Sequence, residues 1–289
     1  MKNENIQRLH GAGLGLRRAH MGPLTDPAGR ADQILNFLEV APENWMGIGG
    51  ALGKQFRHFT ERYPFVLHGL SLNLGGHVAL DEPFLHQLKK FMQQHNINGY
   101  SEHLSYSADS GHLYDLMPIP FTEEAVEHVA ARIRQTQDIL QQKIAIENIS
   151  YYAAPGQQMP EIEFINAVIE RADCNLLLDV NNIYVNSINH HYDAREFLQQ
   201  IPGDRISYIH IAGHYVEDTD LVIDTHGAPV VDTVWELLHT TYELFGVKPT
   251  LLERDFNLPS LEETLKEVQT IHGYQEQWHH DTKRSVRAG

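Results

Sequence analysis

The stretch Leu176-Leu177-Leu178-Asp179 is the clearest sign of how this chain folds, because an uninterrupted apolar run ends on a carboxylate. Buried parallel strands read as continuous apolar runs, so a polar residue that ends one lies at the carboxyl edge of the sheet. The pattern recurs along the chain with a His or a carboxylate in the last position. The recurrences are Val66-Leu67-His68, Ser101-Glu102-His103, Ala145-Ile146-Glu147, Tyr208-Ile209-His210 and Leu251-Leu252-Glu253.

Strand and helix patterns alternate over the whole chain, which is typical of right-handed βαβ units around a parallel sheet. The strands are predicted at 13–17, 37–40, 65–71, 100–105, 144–149, 175–180, 206–212 and 250–254. The helices are predicted at 51–62, 83–95, 123–141, 162–172, 194–201, 234–245 and 260–271.

Eight strands in 289 residues predict an α/β fold, a closed (β/α)8 TIM barrel, with a doubly wound open sheet as the alternative. The glycines of Gly11-x-Gly13-x-Gly15 lack the spacing of a dinucleotide-binding turn, which disfavours a Rossmann fold. We expect one barrel domain over residues 1–275 and a polar C-terminal tail without ordered structure over residues 276–289.

The composition excludes several classes of function. A net charge of -16, with 22 basic and 38 acidic residues, argues against a nucleic acid partner, which requires clustered Lys and Arg. The single cysteine, Cys174, excludes an internal disulfide and a thiolate metal cluster, and we interpret it as structural. The amino terminus leads into no apolar stretch of signal-peptide or membrane-spanning length, so we predict a soluble, cytoplasmic protein without membrane contact.

The strand-end side chains predict a metal centre. In a closed barrel the carboxyl ends of all strands meet around one mouth, and eight side chains would share one pocket there. Carboxylates this close together repel one another unless a cation is present, and imidazole with carboxylate but no sulfur suits Fe, Mn or Zn. One ion uses at most six donors, so we predict at least two ions bridged by Glu147 or Glu253. The eight residues are His68, His103, Glu147, Asp179, His210, Asp224, His226 and Glu253.

Some of these residues have alternative interpretations. Asp224 and His226 are two apart, so on an extended segment their side chains would point the same way. His214 follows His210 by four residues but not on a helix, which leaves it open as a ligand, an outer hydrogen-bond partner or a substrate contact. Glu253-Arg254-Asp255 could instead be a structural ion-pair cluster in which Arg254 neutralises a neighbour. The chain has 19 His residues, and an isolated one is more often a structural or surface residue than a ligand.

Several segments together resemble the multinuclear non-haem iron-dependent oxidase family, which includes the methanobactin-type biosynthetic oxidase. The likeness runs from about Gly11 to Ile271. It implies a xylose-isomerase-like barrel that holds two or three iron ions and uses dioxygen to oxidise cysteines of a ribosomally made precursor peptide. The expected product is of the oxazolone and thioamide type or related, and a partner protein presents the peptide. The segments are Pro42-Glu43-Asn44-Trp45, Leu67-His68-Gly69, Ser101-Glu102-His103-Leu104-Ser105, Glu147-Asn148-Ile149-Ser150-Tyr151-Tyr152, Leu178-Asp179-Val180-Asn181-Asn182, His210-Ile211-Ala212-Gly213-His214, Asp224-Thr225-His226 and Leu252-Glu253-Arg254-Asp255.

The resemblance implies that the same eight residues are iron ligands, with catalytic roles for Glu147, Asp179 and His214. We expect Asn182 to be a weaker ninth ligand. The three-zinc barrels of the endonuclease IV type, which resemble this chain in ligand order, have a histidine there, and an amide oxygen is a poorer donor, so a third metal should bind less tightly. Other residues are candidates to orient the ligands or the peptide. They are Glu43, Asn44, Asn73, Tyr106, Asn148 and Asn181.

Three alternative functions stay open. An endonuclease-IV-like hydrolase has a similar ligand order, but the acidic charge argues against binding of a DNA backbone. A sugar isomerase of the same fold typically pairs its metals with a catalytic lysine, and no Lys ends a predicted strand. A binding protein without catalytic activity would be expected to have lost metal ligands, whereas the set of candidate metal ligands in this chain is nearly complete.

Overall fold

A computed structural model describes residues 9–25, 30–109 and 111–288 of the chain. Within them, eight parallel strands close a barrel in the order β1-β12-β9-β8-β7-β4-β3-β2, which confirms the predicted (β/α)8 architecture. Every predicted barrel strand is present, with bounds shifted by a few residues at most. The strands are β1 (Ala12–Gly15), β2 (Phe37–Val40), β3 (Phe65–Gly69), β4 (Gly99–His103), β5 (Tyr106–Ala108), β6 (His112–Met117), β7 (Ala145–Glu147), β8 (Asn175–Asp179), β9 (Ile206–Ile211), β10 (Tyr215–Asp218), β11 (Leu221–Ile223) and β12 (Thr250–Leu252).

The helices follow the predicted positions with three additions, α1, α2 and α7. Helix α7 was missed because its first residues read as the end of a strand, whereas the Asp179 side chain accepts a hydrogen bond from the Asn182 N–H and caps a new helix. The helices are α1 (Arg18–Leu24), α2 (Ala31–Ile34), α3 (Gly50–Thr60), α4 (Glu82–His95), α5 (Glu123–Leu140), α6 (Glu161–Ala172), α7 (Val180–Asn189), α8 (Ala194–Gln199), α9 (Asp232–Phe245) and α10 (Leu261–Ala288).

Two antiparallel hairpins were also missed. Strand β5 pairs with β6 directly after β4, and β10 pairs with β11 directly after β9. Both hairpins are short and their strands carry many polar residues, so neither reads as a buried run. Each follows a barrel strand that has a His at or next to its carboxyl end, His103 in β4 and His210 in β9.

The described residues divide into two compact units, one of residues 40–177 and one of residues 9–39 with 178–288. The first has an aromatic core in which Trp45 stacks on Phe56 with 4.5 Å between ring centroids. In the second, the Phe37 ring meets the edge of Tyr208, and the hydroxyls of Tyr242 and Thr250 lie 2.6 Å apart. The predicted single domain over residues 1–275 stays a prediction.

The tail prediction was wrong over residues 276–288, because helix α10 continues through them to Ala288. That stretch contains no Gly or Pro that would end a helix. The helix therefore crosses the boundary predicted at residue 276. Among the described residues, none of the helices has the length and apolar character needed to cross a membrane.

Two helices begin with side-chain caps, α10 at Ser260 and α5 at Thr122. The Glu263 carboxylate accepts hydrogen bonds from the N–H and hydroxyl of Ser260, and the Ser260 hydroxyl accepts one from the N–H of Glu263. These reciprocal hydrogen bonds form a capping box at the start of α10. At the start of α5, the Thr122 hydroxyl accepts a hydrogen bond of 3.2 Å from the Ala125 N–H.

Removal of the Thr122 cap is expected to destabilise the protein. The variant Thr122→Ala leaves the Ala125 N–H without its acceptor, which should cost about 1 kcal/mol of unfolding free energy. In a chain of this size that loss lowers the melting temperature by about 2–4 °C. Thr122→Ser, which keeps the hydroxyl, is the control, and calorimetry of the two variants makes the comparison. Equal melting temperatures for both would contradict the capping role.

Candidate metal centre

The first donor cluster consists of His68, His103 and Glu147, at the carboxyl ends of β3, β4 and β7. The Nε2 atoms of His68 and His103 lie 3.0 Å apart, and they lie 3.0 and 3.2 Å from Oε2 of Glu147. Strand register produces this arrangement, since His103 is paired with Glu147 across β4 and β7. One donor atom from each residue lies within 4.8 Å of the others, close enough to bind one ion.

The orientation of His68 is set by Ser101 on the neighbouring strand. The Ser101 hydroxyl donates to the carbonyl of Leu67 at 3.3 Å and lies 2.8 Å from Nδ1 of His68. Since that hydroxyl proton is used, the serine oxygen accepts the proton of Nδ1. The lone pair of His68 is then on Nε2, the nitrogen that faces His103 and Glu147, and an ion would bind there.

Glu102 is buried next to this cluster, where its Oε1 accepts a hydrogen bond of 3.2 Å from the His103 N–H and lies 3.6 Å from Nδ1 of His103. Its carboxylate accepts hydrogen bonds from the Tyr100 hydroxyl at 2.8 Å and from the Leu72 N–H at 3.2 Å. Burial and the nearby carboxylates of Glu102 and Glu43 raise the pKa of Tyr100 well above its ordinary value, so this phenol stays a donor.

The second donor cluster consists of Asp179, His210, His226, Glu253 and Asp255. Donor atoms of Asp179, His210 and Glu253 lie within 4.8 Å of one another, and so do those of His226, Glu253 and Asp255. Glu253 belongs to both sets, because its Oε2 lies 2.9 Å from Nδ1 of His210 and 3.4 Å from Nδ1 of His226. A carboxylate shared in this way suits a bridge between two ions.

Asp224 and His226 meet, but not for the predicted reason. His226 has a left-handed backbone with φ of 49° in the loop after β11, so the segment is not extended. The His226 Nε2 nevertheless lies 2.8 Å from Oδ1 of Asp224. Burial opposes a charge on His226, but the carboxylates of Asp224, Glu253 and Asp255 outweigh it and raise its pKa well above the ordinary value. The surroundings of His226 therefore favour a positive charge.

Glu39, on β2, is a buried partner of His210 that the sequence analysis missed. Its Oε2 accepts a hydrogen bond of 2.6 Å from the Tyr208 hydroxyl and lies 3.1 Å from Nε2 of His210. Because Nε2 donates to Glu39, the lone pair of His210 is on Nδ1, which faces Glu253. The available signal was a carboxylate within the buried run Phe37-Leu38-Glu39-Val40.

We expect Glu39→Gln to weaken metal binding without unfolding the protein. The variant keeps the shape of the side chain but removes the negative charge that orients His210 and makes it more basic. Loss of such a partner typically costs about 10–100-fold in metal affinity or activity. Titration of iron into metal-free protein measures the affinity, with Glu170→Gln, an exposed carboxylate on α6, as the control. Unchanged affinity in Glu39→Gln would remove the orienting role.

His214 lies at one end of a buried polar chain. Its Nδ1 is 2.7 Å from Oδ1 of Asn181, whose Nδ2 donates to Oδ1 of Asp224 at 2.9 Å. The His214 ring also stacks on Tyr184 with 5.0 Å between centroids. Burial lowers the pKa of His214, against a smaller opposing effect of Asp224, so the ring is neutral with its proton on Nδ1. Asn181 thus orients His214 and Asp224 together, a role that the sequence predicted for it.

The cation next to Glu253 and Asp255 is Arg17 rather than Arg254. Arg17 forms an ion pair with Asp255, lies 3.7 Å from Glu253, and donates from Nε to the carbonyl of Arg254 at 3.0 Å. Arg254 itself forms an ion pair with Glu267 on α10. The Arg254 side chain is therefore structural, and the two carboxylates that flank it face the second donor cluster.

Among the other orienting candidates, Glu43 holds the loop that follows His68. Its Oε1 accepts hydrogen bonds from the N–H of Leu70 at 2.9 Å and the hydroxyl of Ser71 at 2.7 Å. Asn73 links that loop to β5 by donating to the Ala108 carbonyl and accepting from the Ser107 N–H, both at 2.8 Å. The roles predicted for Asn44, Tyr106, Asn148 and Asn182 stay predictions.

The donor chemistry fits iron, manganese or zinc. The two clusters supply imidazole nitrogens and carboxylate oxygens, and most of these side chains are buried. Carboxylates buried together are stabilised by a cation, and mixed imidazole and carboxylate donors suit Fe, Mn or Zn. The side chains of each cluster therefore fit a bound cation, and the second cluster has two donor sets that share Glu253.

Solved structures share the fold at low sequence identity. The chain matches D-psicose 3-epimerase from Clostridium cellulolyticum with a TM-score of 0.62 and 10% identity, covering 93% of this chain and 99% of that one. It matches endonuclease IV from Thermus thermophilus with a TM-score of 0.59 and 14% identity, covering 93% and 100%. Likeness at this identity shows a common xylose-isomerase-like barrel and carries no statement about substrate.

Sequence relatives are much more similar. A UPF0276 protein of Shewanella sediminis is 58% identical over 263 residues, which cover 91% of this chain and 94% of the relative. A UPF0276 protein of Alcanivorax borkumensis is 59% identical over 275 residues, covering 93% and 92%. The family model described as RiPP precursor modification enzyme MbnB/TglH/ChrH matches residues 11–276. On this evidence the chain belongs to the MbnB/TglH/ChrH family of enzymes that modify ribosomally synthesised precursor peptides.

Proposed function

We propose that this protein is an iron-dependent oxidase that uses dioxygen to modify cysteine residues of a ribosomally made precursor peptide. The observation that carries the proposal is the pair of sulfur-free donor clusters in a chain of this enzyme family. Sulfur-free imidazole and carboxylate sites suit metals that react with dioxygen, and a metal held by these residues would supply a binding site for a substrate thiolate.

The described residues offer places for two or three ions. His68, His103 and Glu147 would hold one, Asp179, His210 and Glu253 another, and His226 with Glu253 and Asp255 a third. Asp224 adds a carboxylate beside His226, and Asn182 is the proposed weaker donor. When bound, iron would anchor the cysteine thiolate, lower its pKa and transfer electrons to dioxygen.

The side chains of this protein would orient the donors and move protons. Glu39 and Ser101 set which imidazole nitrogen faces each cluster. His214 holds its proton on Nδ1 against Asn181, which leaves Nε2 to accept a proton from the peptide. Glu147 and Asp179 are proposed to act in catalysis by holding the ions close to the substrate.

The family implies a precursor peptide as substrate. We further propose that the peptide contains the reactive cysteine and that a separate partner protein presents it to the barrel. A cytoplasmic location stays part of the proposal. The hydrolase and isomerase alternatives share the fold and a donor set that also suits Zn, whereas the family match favours an enzyme that modifies a precursor peptide.

The metal content tests the proposal first. Protein purified without chelator and without oxygen is expected to contain about two or three irons per chain by mass spectrometry. A Cys-containing peptide encoded beside the gene should then change mass when dioxygen is admitted, and only with iron-loaded protein. Stoichiometric zinc that iron cannot displace, with no dioxygen consumption, would overturn the oxidase and favour a hydrolase.

A further inference from the structure

Strand β10 is exposed to solvent along its whole length. All four of its residues are exposed, and Tyr215 and Val216 keep 56% and 59% of their surface accessible. Successive residues of a strand point to opposite faces, so each face of β10 carries one large apolar side chain. An open strand edge can pair with another chain through its unpaired N–H and carbonyl groups.

Only one edge of this hairpin is covered within the described residues. Asn189 of α7 donates from Nδ2 to the Val222 carbonyl and accepts from the Val222 N–H, both at 2.8 Å. These two bonds occupy the outer side of β11. Among the described residues, β10 pairs with one strand, β11, on its inner side. No hydrogen bond among the described residues covers its outer side.

The Asn189 contact also determines which β10 groups face outward. Val216 is paired with Val222 in the antiparallel register, and the register shifts only after it, between Val216 and Asp218. Since the backbone groups of Val222 point to Asn189, this is a pair without hydrogen bonds between the strands. The N–H and carbonyl of Val216 therefore point away from β11, toward the open edge.

The hairpin is connected at both ends to the candidate site. Strand β10 begins directly after His214, and β11 ends directly before Asp224. A strand rises about 3.3 Å per residue, so His214 lies roughly 7 Å along the chain from Val216. A segment added along β10 would therefore extend toward the side chains of the second donor cluster.

The charge of the hairpin selects the segment that would bind. Residues 215–223 contain Glu217, Asp218 and Asp220 and no basic residue. An extended segment with Lys or Arg beside Glu217 and Asp218 and an apolar residue opposite Val216 matches this edge.

We propose that β10 is a docking edge onto which the precursor peptide adds as an extended, basic strand, through the N–H and carbonyl of Val216. The peptide cysteine to be modified then lies two or three residues beyond the position opposite Val216, level with His214. This inference rests on the proposed function for the identity of the peptide, while the docking itself needs neither iron nor turnover.

The variant Val216→Pro tests the hydrogen bonds. Proline removes the outward N–H, and it is tolerated because that N–H is not used between β10 and β11. The probe is a fluorescein-labelled synthetic peptide in which Lys alternates with Val around one Cys, and anisotropy with metal-free protein measures its binding. Val216→Pro is expected to bind about tenfold more weakly, which corresponds to about 1.4 kcal/mol. The control Val216→Thr, which keeps the N–H and the branched shape, should bind within about twofold of the parent. Equal binding by Val216→Pro and Val216→Thr would overturn the proposal.

A second variant tests the charge without altering the backbone. Glu217→Lys combined with Asp218→Lys should reverse the preference from the Lys peptide to a counterpart with Glu in place of Lys. An unchanged preference would overturn the basic character of the partner.

Cysteine oxidation measured on iron-loaded forms of the same variants separates the docking hypothesis from the oxidase hypothesis. Absent oxidation with intact binding differences rejects the oxidase alone, whereas normal oxidation with no binding difference rejects the docking edge alone.

Discussion

The variant Glu253→Gln is expected to lose most of its iron and all measurable peptide oxidation. Glu253 is the carboxylate shared by the His210 and His226 donor sets, so two ions depend on it. The amide of Gln is neutral and a poorer donor, and it leaves the remaining carboxylates without a bridge. Loss of a residue that only hydrogen-bonds to a metal ligand typically lowers metal affinity by about 10–100-fold. Loss of the ligand Glu253 itself should therefore weaken iron binding by about a hundredfold or more.

Metal analysis of Glu253→Gln should therefore find at most one iron per chain. Glu262→Gln is the control, because Glu262 is exposed on α10 and pairs with Lys266 at 3.3 Å. This control should retain the full iron content and activity. Full iron occupancy in Glu253→Gln would exclude the bridging role for this carboxylate.

Replacement of Glu147 by Gln is expected to remove the ion held by the first cluster. The Nε2 atoms of His68 and His103 both approach Oε2 of Glu147, so the two imidazoles would keep no carboxylate within their set. We expect iron affinity at this cluster to fall by about a hundredfold or more, for the reason given for Glu253, and peptide oxidation to be lost with it.

The iron count of Glu147→Gln also tests the predicted bridge. Loss of one ion would make Glu147 a ligand of the first cluster alone, and loss of two would support a bridging carboxylate. Glu161→Gln is the matched control, because Glu161 is also buried but accepts a hydrogen bond from Tyr151 on another part of the first unit. Full iron occupancy in Glu147→Gln would contradict both roles.

The barrel strands were predictable because their signal is local. Runs such as Leu176-Leu177-Leu178 are apolar at every position, as strands covered on both faces require, and each predicted strand is present. The caps at Thr122 and Ser260 were predictable for the same reason, since the donor and acceptor lie three residues apart. Local patterns failed for α7, where one residue, Asp179, both ends a strand and caps a helix.

The partners of the candidate ligands were not predictable, because they come from distant parts of the chain. Glu39 reaches His210 across 171 positions, and Arg17 reaches Asp255 across 238. The sequence predicted Asp255 only as a member of a structural ion-pair cluster with Arg254. The order of these residues along the chain does not indicate which side chains are in contact in the folded protein.

The sequence by itself determined the barrel and the residue types at its strand ends. Apolar periodicity specifies burial, and a His or carboxylate that ends a buried run has its place defined by the strand. The tertiary structure decided which nitrogen of each imidazole faces the donor sets, which carboxylate is shared and which edge of the β10 hairpin stays open. These depend on hydrogen bonds between segments brought together only by strand register and helix packing, and a linear pattern does not encode them.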